Sequence, residues 1–233
     1  LYGLACDMGS IMKIAQKYNL RVIEDCAQSH GAMSDGKITG AFDIGCFSFY
    51  PTKNLGALGD AGIITSSDED FIKKARALRN YGSEEKYHNS LLGFNSRLDE
   101  VQASALLVKL KYIDEINKHR RAIAGVYNTK ISSDVLKPVY QDDNSHVYHI
   151  YNLRVERRDD LKEYLQSEGI GTDIHYPIPP NFQPALHNYI TNRYPISEKI
   201  HETTLSLPIS TATDLKAAEI VSESINHWLK HKN

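Results

Sequence analysis

Apolar residues recur every three to four positions in DMGSIMKIAQKYN, Asp7 to Asn19, at Ile11, Met12, Ile14, Ala15 and Tyr18. That spacing predicts a helix, which Asp7 or Ser10 can cap. The pattern changes in LRVIEDCAQ, Leu20 to Gln28, where Val22 and Ile23 run into acidic residues. A buried parallel strand stops in this way at the carboxyl edge of a sheet, where open α/β folds collect ligands. After a loop holding Gly36 and Gly40, IGCFSFY and AGIITSS read as two further strands. Asp68 to Gly82 reads as a helix, acidic in its first turn, basic later, with Gly82 as its C-cap.

The second half has a different rhythm. A long helical stretch follows Ser96, with Val101, Ala105, Val108, Leu110, Ile113 and Ile116 on its apolar turns, and is expected to bridge two lobes. Beyond it, Ser145 to Val155 predicts a strand, RDDLKEYLQSEG a helix, GTDIHY a short strand and DLKAAEIVSESINHWLKH a final amphipathic helix. Alternating strands and helices define an α/β class. The expected division is a larger α/β part over residues 1–120 and a smaller α+β part over 121–233.

Composition removes several function classes. The chain has 233 residues, 41% hydrophobic and 24% charged, enough for a real core. Its net charge of −2 is spread without a basic stripe, which argues against nucleic acid as a partner. No apolar run reaches the roughly 20 residues that cross a bilayer, and no signal-peptide pattern opens the chain. The expectation is a cytoplasmic protein without a membrane partner. Cys6, Cys26 and Cys46 form no C-x-x-C pair, so neither a disulfide framework nor a metal site is expected.

The candidate chemistry lies in CFSFYPTKNLGALGD, Cys46 to Asp60, where Lys53 follows an aromatic strand and precedes Gly56 and Gly59. Such a lysine can be a solvated loop residue, a point charge for phosphate, or a desolvated nucleophilic amine. A phosphate loop needs its lysine after the glycines, and a Rossmann fingerprint needs G-x-G-x-x-G before a helix. GALGDAG is spaced G-x-x-G-x-x-G before a strand, so both nucleotide-loop readings are weak.

Four blocks in order, VIEDCAQSHGA, CFSFYPTKNLGALGDAG, LRNYG and NSRLDEVQAS, resemble the DegT/DnrJ/EryC1/StrS family of sugar aminotransferases. The resemblance covers the whole chain and implies the aspartate aminotransferase type I fold with pyridoxal phosphate as cofactor. IGTDIHYPIPPNFQPAL resembles the branch that aminates carbon 3 of dTDP-linked 3-keto-6-deoxyhexoses. Lys53 matches the family's Schiff-base lysine, Asp25 the partner of the pyridine nitrogen, Gln28 a residue beside the ring, and Ser48 a hydroxyl on the phosphate. Asn95 matches a residue that reaches the phosphate from a second subunit, which implies a homodimer. His175 and Tyr176, ahead of rigid prolines, fall where the branch holds the sugar. The implied substrates are a nucleotide-linked keto sugar and an amino acid donor, expected to be glutamate.

Each residue has a plainer role if taken alone. Asp25 could cap a strand end, Ser48 could be a satisfied strand hydroxyl, Lys53 a surface charge, and Asn95 or Ser96 a helix cap. His175 and Tyr176 could pack between lobes, and Tyr50, Arg79 and Tyr81 could line an entrance. The chain departs from the family at Ala61, where glycine is usual, and at Asn181, where histidine is common. Ala61 would crowd the backbone if its position required positive φ. Family members also carry a substantial segment ahead of LYG, so a piece of the large domain is expected to be missing here. A truncated remnant that docks on a complete homologue, and a sugar-nucleotide oxidoreductase, are the two alternatives.

Overall fold

Residues 1–139 and 143–231 are described by the structure, a computed structural model. The chain divides into two units, Leu1–Lys118 with Asp143–His149, and His119–Asp142 with Ile150–Asn233.

In the first unit, helix α1 spans Met8–Tyr18; Asp7 caps it by accepting from the Ser10 N–H at 3.0 Å, and Asn19 closes it in the left-handed region. Strand β1 is short, Ile23–Asp25. A small antiparallel ribbon of β2, Met33–Ser34, and β3, Lys37–Ile38, turns through Asp35 and Gly36, both at positive φ. Strand β4, Ile44–Ser48, runs parallel to β1, and β5, Gly62–Ser66, runs antiparallel to β4, giving the order β1-β4-β5. Helix α2 covers Glu69–Leu78 with Asp68 as N-cap. It ends at Arg79 rather than Gly82; Gly82, at φ +74, sends its N–H back to the Ala77 carbonyl. A second ribbon, β6 Ser83–Glu85 and β7 His88–Asn89, follows.

The expected long helix is two, α3 Glu100–Leu110 and α4 Ile113–Lys130. The break has a local cause: the Lys111 and Tyr112 amides bond to carbonyls three residues back, Val108 and Lys109, which tightens the turn. Helix α3 starts from Asp99 with no side-chain cap bond, so neither Asn95 nor Ser96 caps it.

The expected strand from Ser145 to Val155 is also divided. Its first part pairs with residues near the start of the chain, with Val147 N–H on Gly3 O and Ala5 N–H on Ser145 O, both 2.9 Å. Gly3 is required there, because a Cβ would lie 2.8 Å from His149 N. Only Tyr151–Arg154 forms β8, in the second unit. After β8 come α5, Arg158–Ser167, two 3-10 turns, α6, Pro195–Thr203, β9, Thr204–Leu207, and α7, Leu215–His231. Strand β9 is antiparallel to β8, and Leu153 and Leu205, fully buried, join Leu161, Leu165, Ile225, Ile123 and Tyr127 in the core. GTDIHY contributes a single bridge, Asp173 to Ser206. Pro177, Pro179 and Pro180 just beyond it have no N–H with which to extend a ladder.

Candidate active site

Alternation along β1 assigns opposite tasks to its two neighbouring carboxylates. Glu24 is buried and accepts from Gly40 N–H at 2.8 Å and Phe42 N–H at 3.0 Å, so it holds the following loop. Asp25 emerges on the other face, exposed, at the carboxyl end of the strand, with Oδ1 accepting from Ala27 N–H at 3.1 Å. Because Asp25 is in register with Cys46, Ser48 two positions further along β4 shares its face.

The lysine loop leaves β4 directly. Lys53 N–H bonds Tyr50 O at 2.9 Å and Ala57 N–H bonds Phe49 O at 2.8 Å, while Lys109 of α3 donates to Gly56 O at 2.7 Å. Gly56 lies so close to the Pro51 carbonyl that any Cβ would collide with it. Phe49, Leu55, Ala57 and Leu106 bury the underside. Lys53 itself is half-buried, and its amine is pushed below the usual lysine range by loss of water, against the opposing attraction of Asp25. A depressed amine is the form that attacks a carbonyl. His30, in the loop after Asp25, is buried between Phe47 and Phe49, and burial pushes its imidazole down to about 4.

The remaining candidates are distributed unevenly. Gln28 is half-buried and its Oε1 accepts from Tyr2 N–H at 2.6 Å. Ser48 Oγ accepts from Tyr50 N–H at 3.3 Å, which leaves the hydroxyl proton to donate. Asn95 is exposed, in a backbone bridge with Asn80, and nothing among the described residues joins it to Lys53 or Asp25. Arg97 binds Asn80 Oδ1 at 3.1 Å and lies over the Tyr81 ring. His175 and Tyr176 belong to the second unit, where His175 Nδ1 meets Ser206 Oγ at 2.9 Å and His201 Nδ1 meets Tyr176 O at 2.6 Å. Asn181 donates to Glu198 Oε1 at 2.8 Å. Ala61 does not occupy positive φ, so it crowds nothing on that account. Among the described residues there is no cluster of three or more metal-ligating side chains and no helix long and apolar enough to cross a membrane.

Residue-by-residue reading missed the buried amides around this site. Asn54 follows Lys53 directly and is almost fully buried with Asn117, a hydrogen-bond partner 63 positions away. A polar residue beside a candidate nucleophile was the available signal. Its partner could not be read from local spacing.

Pyridoxal phosphate requires an amine for its aldehyde, an anion for its ring nitrogen and donors for its phosphate. The depressed Lys53 amine, the Asp25 carboxylate at the strand end and the donating Ser48 hydroxyl fit those requirements.

Residues 1–226 match the DegT/DnrJ/EryC1/StrS aminotransferase family, and the chain belongs to it. It is 49% identical over 230 residues to the dTDP-3-amino-3,6-dideoxy-alpha-D-galactopyranose transaminase of Aneurinibacillus thermoaerophilus, covering 98% of this chain and 63% of that protein. It is 44% identical over 211 residues to a UDP-N-acetyl-3-dehydro-alpha-D-glucosamine 3-aminotransferase of Acidithiobacillus ferrooxidans, covering 90% of this chain and 57% of that one. The crystal structure of DesV from S. venezuelae, in complex with a ketimine intermediate, superposes with a TM-score of 0.95 at 37% identity, over 99% of this chain and 64% of DesV. That of NtdA from Bacillus subtilis, with bound cofactor PMP, gives 0.89 at 31% identity, over 99% of this chain and 55% of NtdA. The fold is thus the mixed α/β type I aminotransferase fold. The chain spans less than two thirds of the length of these relatives.

Proposed function

We propose that the whole protein is a pyridoxal-phosphate-dependent aminotransferase that moves an amino group from an amino acid, glutamate by expectation, to a keto-deoxysugar carried on a nucleotide. The observation that carries this reading is Lys53, half-buried with a depressed amine, facing Asp25 at the carboxyl edge of the sheet. The transaminase activity named for the Aneurinibacillus relative supports a dTDP-linked sugar and amination at carbon 3.

Bound there, the cofactor supplies an aldehyde that carries the nitrogen and a ring that withdraws electron density. Lys53 would hold that aldehyde and, once released, take a proton from the substrate carbon and return it, a task that loss of water favours by lowering the amine below the usual lysine range. Asp25 would keep the ring nitrogen protonated, Gln28 would lie beside the ring, and Ser48 would donate its hydroxyl to the phosphate. Asn95, exposed and apart from this group, is proposed to reach the phosphate of a second copy, which makes the working form a homodimer. His175 and Tyr176 are proposed to contact the sugar, and the nucleotide to contribute binding energy for its placement. A cytoplasmic location is part of the same reading.

The test is direct. The chain is mixed with pyridoxal phosphate, reduced with borohydride and mapped by mass spectrometry. A single adduct on Lys53 supports the assignment, whereas labelling scattered over surface lysines, or none, counts against it for this chain.

A further inference from the structure

We propose that Asn117 is a positioning residue that ties the loop following Asp25 to the loop carrying Lys53, and so sets the lysine against its carboxylate. The inference rests on reading Lys53 and Asp25 as the working pair.

Asn117 lies on α4 and is 2% exposed. Its Nδ2 donates to the His30 carbonyl at 2.8 Å, and its Oδ1 accepts from Asn54 Nδ2 at 2.9 Å. Asn54 Nδ2 also donates to Val147 O at 3.0 Å, and Asn54 Oδ1 meets His149 Nδ1 at 3.2 Å. The two backbone carbonyls fix which way each amide points, since a carbonyl can only accept. With that orientation, every polar atom of both amides has a partner. One side chain therefore joins segments 87 and 63 positions away in sequence.

The loops are shaped to receive it. Gly31 has φ +80, and a Cβ there would lie 2.8 Å from Asn117 Nδ2, so glycine leaves the approach to His30 open. The His30 ring packs against Phe47 and Phe49 and interacts with the Ser48 backbone, so the ring is held from β4 and the residue beyond it. The His30 carbonyl is the point at which α4 grips this loop, five residues beyond Asp25. On the other side, Asn54 is the immediate neighbour of Lys53, so holding its amide restrains the backbone next to the lysine. A buried amide left without its partner is costly, which makes the link stiff.

A cofactor-free experiment separates this role from simple support of the fold. Lys53 is labelled with acetic anhydride across pH in the full chain, with exposed Lys17 and Lys86 as internal references, while amide exchange is followed by mass spectrometry. Asp25 and His30 are the titratable groups that interact with the amine, and loss of water is what depresses it. Asn117→Ala is expected to shift the Lys53 titration relative to the reference lysines, because both the placement against Asp25 and the exclusion of water change. It should also raise exchange about tenfold in both 26–32 and 50–57, as loss of a buried partner predicts, and leave α1 and β5 unchanged. Asn117→Asp keeps the acceptor for Asn54 but turns an oxygen on the His30 carbonyl, so it should loosen 26–32 alone. If Asn117→Ala fails to fold, Asn117→Asp and Asn54→Ala carry the same two measurements. An unchanged Lys53 titration in a folded variant, or exchange that rises uniformly, overturns the proposal. Because no cofactor is used, a wild-type chain that forms no pyridoxal adduct would defeat the functional reading and leave this test intact.

Discussion

The sheet of the first unit and the sheet of the second are built from similar backbone ladders and covered differently. In the second, all four residues of β9 are buried, and so are Tyr151 and Leu153 of β8. In the first, Ile63 and Ile64 of β5 are 49% and 47% exposed and Ile23 of β1 is 68% exposed, while Ile14 and Tyr18 leave an apolar strip open on α1. Strand pairing settles where hydrogen bonds go, and flanking helices settle whether a sheet can anchor a core. Helices α5 and α7 bring Leu161, Leu165, Val221 and Ile225 into the core around β8 and β9. The first unit buries Glu24, His30, Asn54 and Asn117 around the loops that follow β1 and β4. The second sheet is sealed into a core, whereas the first carries the proposed site residues at its strand ends in a chain that spans less than two thirds of its relatives' length.

The largest effect should come from the chemical side. Lys53→Ala removes the only amine proposed to bond the cofactor, so the borohydride-trapped adduct should disappear while the folded content of both units remains. Persistence of a specific adduct would relocate the site. Next comes the core of the second unit. Leu153→Ala and Leu161→Ala, at fully buried positions, should each cost about 2–5 kcal/mol in denaturant unfolding. Ile64→Ala on the bare sheet should stay within about 0.5 kcal/mol. Equal losses at the two sheets would mean that Ile64 is covered in solution.

How far these differences are legible in the sequence depends on how local their causes are. Helix α1 follows from a spacing of three to four residues and a cap three residues from its bond. Lys53 and Asp25 stand in compact motifs, so the order of residues along the chain is enough to single them out. Strand β9 is different, because TLSL buries two hydroxyl residues, Thr204 and Ser206, and shows no clean apolar run. The division of Ser145 to Val155 depends on pairing with Gly3 and Ala5, more than a hundred residues earlier, which no local pattern encodes. The Asn54 and Asn117 link is hidden for the same reason: asparagine usually marks a turn or a cap, and only long-range contacts make it a strut.

Acid should separate the units next. His30 and His146 in the first unit are buried, and burial lowers each to about 4 from an ordinary 6.5. Between those values the unfolded chain binds protons that the folded unit refuses, so this contribution is present above pH 6.5 and is lost as pH falls toward 4. At pH 5 each histidine should cost about 2 kcal/mol. The second unit has no buried histidine among its described residues. Amide exchange at pH 7.5 and pH 5 should therefore show the first unit losing protection ahead of the second, and a uniform loss would count against the assignment.

The smallest effect concerns how helices begin. Asp7 caps α1 with bonds to the Ser10 backbone and hydroxyl, and these hold its carboxyl below the usual range. Helix α5 begins at Arg157 with no side-chain cap bond, but Leu161 and Leu165 on its inner face are fully buried. A helix whose apolar strip stays exposed, as Ile14 and Tyr18 leave that of α1, needs its local cap more than one sealed into a core does. Asp7→Ala should therefore raise amide exchange within α1 alone, as should lowering the pH until the Asp7 carboxylate protonates. Asp159→Ala, which removes an exposed carboxylate from the first turn of α5, should leave that helix protected because its order comes from burial. If α5 frays and α1 does not, local capping is not what separates the two units at their helix ends, and the contrast reduces to the covering of their sheets.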